Sequence, residues 1–84
     1  MRIIFAPSAW EDYRHWQGAD PAVVKRIHAL IKDASRNPFK GIGKPEPLRY
    51  AFTGYWSRRI TGEHRMVHKV ESGDLLIAQL RYHY

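Results

Sequence analysis

At 84 residues the chain has room for one domain and a single hydrophobic core, with little surplus. It has no cysteine, which excludes disulfides, cysteine-based zinc sites and thiol catalysis. No apolar run nears the roughly 20 residues that cross a bilayer, and the stretch after Met1 is too short for a signal peptide, so the expectation is a cytoplasmic protein with no membrane association.

Fourteen Lys and Arg against eight Asp and Glu leave a net charge of +6, with a pI near 10.0. That balance favours a polyanionic partner: nucleic acid, an anionic surface or an acidic protein. The surplus is uneven. Through Ser35 there are five basic and four acidic residues, and from Arg36 onward nine and four.

In chain order, Arg2 to Phe5 reads as a short strand ended by Ala6-Pro7. Ser8 and Glu11 have the spacing of a capping box, so a helix is expected after Ser8, with Trp10, Tyr13 and Trp16 along one edge and Gly18 at its end. Asp20 as N-cap and Pro21 at the first helical position start a second helix. Its stripe is Val23, Val24, Ile27, Leu30, Ile31 and Ala34, and Asn37-Pro38 stops it. Residues 39–47, with two glycines and two prolines, read as a loop with stiff points. Strands are expected at 48–52, 55–60, 64–70 and 75–82, with turns at Thr61-Gly62-Glu63 and Ser72-Gly73. This order predicts an α+β fold of one domain over residues 1–84, two N-terminal helices packed on a twisted antiparallel sheet whose other face is left for function.

The basic second half carries the chemistry. A three-residue loop at 61–63 sets Arg59 opposite Arg65, whereas a loop of Gly62-Glu63 alone puts Arg58 on the face of Arg65. In either register two guanidiniums share a face, an unfavourable pairing unless an anion lies between them, and the guanidinium fork suits phosphate. The bland alternative is a solvated charged face, the commoner fate of an Arg-Arg dipeptide by itself.

Glu46, between Pro45 and Pro47 and near Lys44 and Arg49, is a carboxylate held stiffly beside cations, suited to accept a proton from a ribose 2′-hydroxyl; an exposed loop ion pair is the competing reading. His83 has the pKa range to protonate a leaving oxygen, although penultimate residues are commonly frayed tail. Strand parity sets His83 on the face away from Arg65, so a bulge or a bend of the strand end is needed to bring them together. Tyr55, Trp56 and Tyr84 are candidates to stack a base. The remaining histidines lack metal-ligand spacing, so neither a metal nor another cofactor is expected.

Taken together, G-K-P-E-P-L at 43–48, G-Y-W-S-R-R-I at 54–60, E-H-R at 63–65 and the closing R-Y-H-Y resemble the YoeB-type messenger-RNA-cleaving toxins of the RelE/ParE superfamily, over the whole chain. The resemblance implies a microbial-ribonuclease-like fold and a metal-independent endoribonuclease, with Glu46 as general base, His83 as general acid and Arg65 stabilising the phosphorane. Arg59 and Tyr84 match positions that bind or orient RNA, Lys44, Arg49 and Arg58 complete the expected phosphate contacts, and Arg49 stands where a lysine is expected. Its implied partners are a cognate YefM-like antitoxin, messenger RNA in the ribosomal A site, operator DNA only as a toxin–antitoxin complex, and a second copy as a homodimer. Two other readings stay open: a ParE-like toxin acting on a protein such as gyrase, which has no need of an acid–base pair, and a basic RNA-binding module without catalysis.

Overall fold

The chain enters on a three-residue strand, β1 (Ile3–Phe5), and continues into two helices, α1 (Pro7–Ala19) and α2 (Pro21–Arg36). Strands β2 (Glu46–Pro47), β3 (Trp56–Arg59), β4 (Arg65–Glu71) and β5 (Asp74–Gln79) follow, with one 3-10 turn at Tyr50–Phe52 between β2 and β3. The structure, a computed structural model, describes residues 1–82.

Helix α2 forms as its pattern predicts. The Asp20 carboxylate accepts from the amides of Ala22 and Val23, and Pro21 follows it without wasting a donor. The buried stripe of Val23, Ile27, Leu30 and Ala34 meets Ile60, Met66, Leu75, Ile77 and Leu80 in one core, with Val24 and Ile31 packed at its margin. Each such large side chain contributes roughly 1.5–3 kcal/mol by leaving water.

Helix α1 starts differently from its sequence signal. Its first residue is Pro7, preceded by an extended Ala6 with no side-chain cap, so Ser8 lies inside the helix. The Ser8 hydroxyl instead donates to the Ala78 carbonyl, 3.3 Å away. A tertiary acceptor has won over the local capping box.

The sheet runs β1-β5-β4-β3-β2. Pairs β2–β3, β3–β4 and β4–β5 are antiparallel, as expected. β1 departs from the all-antiparallel expectation by pairing in parallel with β5, which makes the sheet mixed. The expected strand over 48–52 is also absent. β2 lies earlier, on Glu46–Pro47, and after the Leu48 amide bonds to the Tyr55 carbonyl the chain curls into the 3-10 turn. Thr53 explains the curl, because both its amide and its hydroxyl bond the Tyr50 carbonyl, closing a turn where an apolar alternation alone reads as a strand.

Residues Trp56, Arg58, Met66, His68, Val70, Leu75 and Ile77 share the helix-facing side through the registers Arg58↔Met66, His68↔Ile77 and Val70↔Leu75. Between Val67 and His68 the β4–β5 register shifts, so that Val67 pairs Gln79 while His68 pairs Ile77. One extra residue, Ala78, is therefore inserted in β5 as a bulge.

Helix α1 takes up the backbone groups that this bulge and the strand end leave without ladder partners. Ser8, Asp12 and Trp16 stand four residues apart on one helical edge. Besides the bond from Ser8 to Ala78, the Asp12 carboxylate accepts from the Leu80 amide (3.1 Å) and the Trp16 indole donates to the Leu80 carbonyl (2.9 Å).

Candidate functional site

The face away from the helices carries the charge. Glu46 pairs Ser57, Ser57 pairs Val67 and Val67 pairs Gln79, a row that crosses four strands on one face. Two residues along β3 and β4 lies the next row, where Arg59 and Arg65 are direct partners. The 61–63 loop is thus the one the chain uses, confirmed by the Ile60 amide bonding the His64 carbonyl at 2.9 Å. The Arg59 amide also bonds the Gly43 carbonyl at 2.6 Å, which brings Lys44 alongside this row. With strands about 4.8 Å apart, Glu46 stands roughly 10 Å from β4, a gap that a carboxylate and a guanidinium close from both sides around a small anionic group.

Arg65 is half-buried, yet among the described residues its Nε and one Nη have no hydrogen-bond acceptor, and neither does the Nε of Arg81. Buried N–H groups of a cation left without acceptors are costly, and an anion arriving there satisfies them. Arg59, Lys44, Arg49 and Glu46 are exposed.

The strand that follows the bulge returns to this edge. The Arg65 amide bonds the Tyr82 carbonyl (3.1 Å), the Gln79 side-chain amide donates to the Arg81 carbonyl (2.8 Å), and Nδ1 of His64 accepts from the Tyr82 amide at 2.8 Å. His64 is therefore held as the tautomer with its proton on Nε2, between the rings of Trp16 and Tyr82. His83 and Tyr84 lie outside the described residues. Of the two departures from parity expected near this end, a bulge or a bend, β5 carries a bulge at Ala78.

Comparison with known proteins decides the family. The family described as "YoeB-like toxin of bacterial type II toxin-antitoxin system" matches residues 5–84. Toxin YoeB of Escherichia coli K12 is 54% identical over 84 residues, the whole of both chains. The chain belongs to the YoeB toxin family. Among solved structures, the YoeB/ParE toxin from Agrobacterium tumefaciens superposes with a TM-score of 0.96 at 49% identity, covering all of both chains. YoeB in a YoeB–YefM complex from Staphylococcus aureus does so at 0.91 and 46%, covering all of this chain and 98% of that one.

For this member of the YoeB family, one expected site residue is placed elsewhere. Arg58 is 0% exposed and on the helix side, so it is not among the phosphate contacts. Its guanidinium donates to Asp33 on α2 (2.6 Å) and to the carbonyls of Ile42, Asn37 and Lys40 (3.2, 2.7 and 2.8 Å). Asp33 in turn accepts from the Ile42 amide, and Arg58 holds its carboxyl below the usual carboxylate range, helped by that amide. Arg58 therefore folds the 37–43 loop around itself and sets the path by which the chain reaches Glu46. Its register with Met66 carries this information, and the Arg-Arg dipeptide does not.

The stacking candidates also divide. Trp56 packs on Phe39 with centroids 5.0 Å apart, and Tyr55 lies under the Lys69 ammonium at 4.7 Å. Among the described residues the aromatic side chain most open to solvent is that of Tyr50, which sequence reading took for a strand residue. It helps to line a concavity of about 560 Å³ bounded by Glu46, Leu48, Arg49 and Phe52.

Proposed function

We propose that the chain is the toxin of a type II toxin–antitoxin pair and acts as a metal-independent endoribonuclease on messenger RNA in the ribosomal A site. The observation that carries this reading is the outer face itself. Glu46 stands one row from the Arg59–Arg65 pair, and two buried N–H groups of Arg65 have no acceptor among the described residues.

Glu46 takes the proton of the ribose 2′-hydroxyl, and the freed oxygen attacks the adjacent phosphorus in line. Arg65 and Arg59 meet the negative charge that grows on the equatorial oxygens, where preorganised donors have most effect. His83 gives a proton to the departing 5′-oxygen, and Tyr84 orients the strand; both roles rest on the resemblance to YoeB-type toxins. The P–O bond to the 5′-oxygen breaks as the one to the 2′-oxygen forms, leaving a 2′,3′-cyclic phosphate that water opens to a 3′-phosphate. Lys44 and Arg49 hold flanking phosphates.

The Staphylococcus aureus complex pairs YoeB with YefM, and a YoeB dimer is known from the same organism. This chain accordingly takes a YefM-like antitoxin and forms a homodimer. As a toxin–antitoxin complex it binds operator DNA. It works in the cytoplasm.

The test is cleavage of a defined message on programmed ribosomes, with a chelator present at a level that spares them. The parent should leave 2′,3′-cyclic or 3′-phosphate ends. Glu46→Ala, Arg65→Ala and His83→Ala should each slow it by about a hundredfold or more. Unchanged rates in the Glu46 and His83 variants, or a parent that cuts nothing, would sink the assignment and favour a toxin that acts on a protein.

A further inference from the structure

The segment from Arg49 to Phe52 contributes little to the core and takes no part in the acid–base step, yet it is rigidly built. Tyr50 has φ of 57°, the left-handed region that a bulky side chain avoids. Its side chain offers no packing in return, since Tyr50 is 91% exposed. The conformation is imposed by neighbours: Thr53 bonds the Tyr50 carbonyl through its amide (3.1 Å) and its hydroxyl (2.7 Å), and the Phe52 amide bonds the Arg49 carbonyl at 3.1 Å. A strained residue held in place by its surroundings and presenting an idle ring to solvent is characteristic of a binding position.

What the ring faces narrows the ligand. Tyr50, Phe52 and Leu48 supply apolar surface to the concavity of about 560 Å³, and Arg49 and Glu46 supply one charge of each sign. The size lies within the ordinary range of small-ligand sites, about 300–1,000 Å³, and is ample for one purine. An exposed aromatic face beside a guanidinium is the arrangement that receives an unpaired base while the cation holds its phosphate.

We propose that Tyr50 and Phe52 form a ledge on which one unpaired nucleobase next to the scissile phosphate stacks, with Arg49 on the phosphate of that nucleotide. The ledge deepens the ribonuclease reading and rests on it, since Glu46 lines the same concavity. It orients the nucleotide whose 2′-hydroxyl Glu46 must reach, and it requires single-stranded RNA, because a base in a duplex stays in its own stack. Stacking by itself tolerates any base.

The experiment uses ribosomes programmed with messages that carry 2-aminopurine at each A-site position in turn, with a 2′-deoxy sugar blocking cleavage. The parent should quench the fluorescence at one position. Tyr50→Ala should abolish that quench and weaken binding about tenfold or more, and Tyr50→Phe should retain both. Because no bond is cut, this readout stands even where the cleavage assay of the nuclease reading fails. Absence of a quench at every position, or a Tyr50→Ala chain that quenches like the parent, overturns the ledge. So does a Tyr50→Ala chain whose only defect is weaker antitoxin binding, which would give the surface to a peptide. Tyr50→Gly should raise the Tm, since glycine suits the left-handed backbone; a lower Tm would mean that the ring supports the fold and refute the argument from strain.

Discussion

At the scale of single residues, the two central histidines do different work from the one expected to act in catalysis. His68 is wholly buried on the helix side, with its Nε2 donating to the Pro38 carbonyl at 3.2 Å. Burial pushes its pKa below the usual histidine value; the Pro38 carbonyl opposes this and the Arg58 charge adds to it. The unfolded chain therefore takes up this proton first as pH falls through about 6.5, while the folded chain resists. Stability from this group is complete above that pH and is lost as pH drops toward the folded value. Denaturant titrations from pH 8 to 5 should show a falling midpoint, and His68→Gln, which keeps a donor for Pro38, should flatten the fall. An equal slope in the variant would place the acid sensitivity elsewhere.

At the scale of elements, two supports position the site from behind. α1 grips the strand after the bulge through Ser8, Asp12 and Trp16. Removing one grip leaves a buried amide unpaired, so Asp12→Ala should cost about 1–3 kcal/mol in denaturant melts. It should also slow RNA cleavage at temperatures where the variant is still fully folded, because the residues that follow Leu80 lose their anchor; a variant that is less stable yet cuts at the parent rate would limit the grip to folding.

The second support is the 37–43 loop wound around Arg58. At Gly43, φ is +81° and an added Cβ would stand 2.7 Å from the Leu30 side chain and 3.1 Å from the Arg58 Cβ. Gly43→Ala should therefore lower the Tm by several degrees. Cleavage should fall with it, since the Gly43 carbonyl carries the Arg59 amide and Glu46 follows three residues later. A Tm within a degree of the parent would show that Leu30 and the loop yield freely.

At the scale of the whole molecule, charge and apolar surface are separated by the sheet. The helices cover one side with the core, and the +6 surplus is most concentrated on the other, where Lys44, Arg59 and Arg65 meet at one end of the strands. In the proposed site Lys44 and Arg49 each hold a flanking phosphate and the Arg59–Arg65 pair holds the scissile one, three phosphates in all. A single-strand slope of about −0.7 per phosphate predicts that affinity for a short single-stranded RNA drops roughly twentyfold between about 50 and 200 mM salt. Filter binding across that range checks it, and an affinity indifferent to salt would contradict a phosphate-led interface.

Much of this was legible in the order of residues. The α2 stripe, the Asp20-Pro21 start, the strand positions from Tyr55 onward and the sharing of one face by Arg65 and a second arginine follow from local periodicity and turn chemistry, which act over a few residues and survive in any context, while the structure chose Arg59 over Arg58. The Ser8 capping box, the strand expected at 48–52 and the phosphate role of Arg58 failed for one shared reason: each was decided by a partner remote in sequence or by a competing turn. Ser8 found Ala78, Tyr50 was captured by Thr53, and Arg58 turned inward to Asp33 and the 37–43 carbonyls. Sequence by itself determined which elements form, which stripe is apolar and which half is basic, because these depend on side-chain type and short-range spacing. Only the tertiary structure decided which arginine is buried, where the bulge falls and which ring is left open to solvent, because those depend on which backbone groups remain unpaired once the sheet and helices have met.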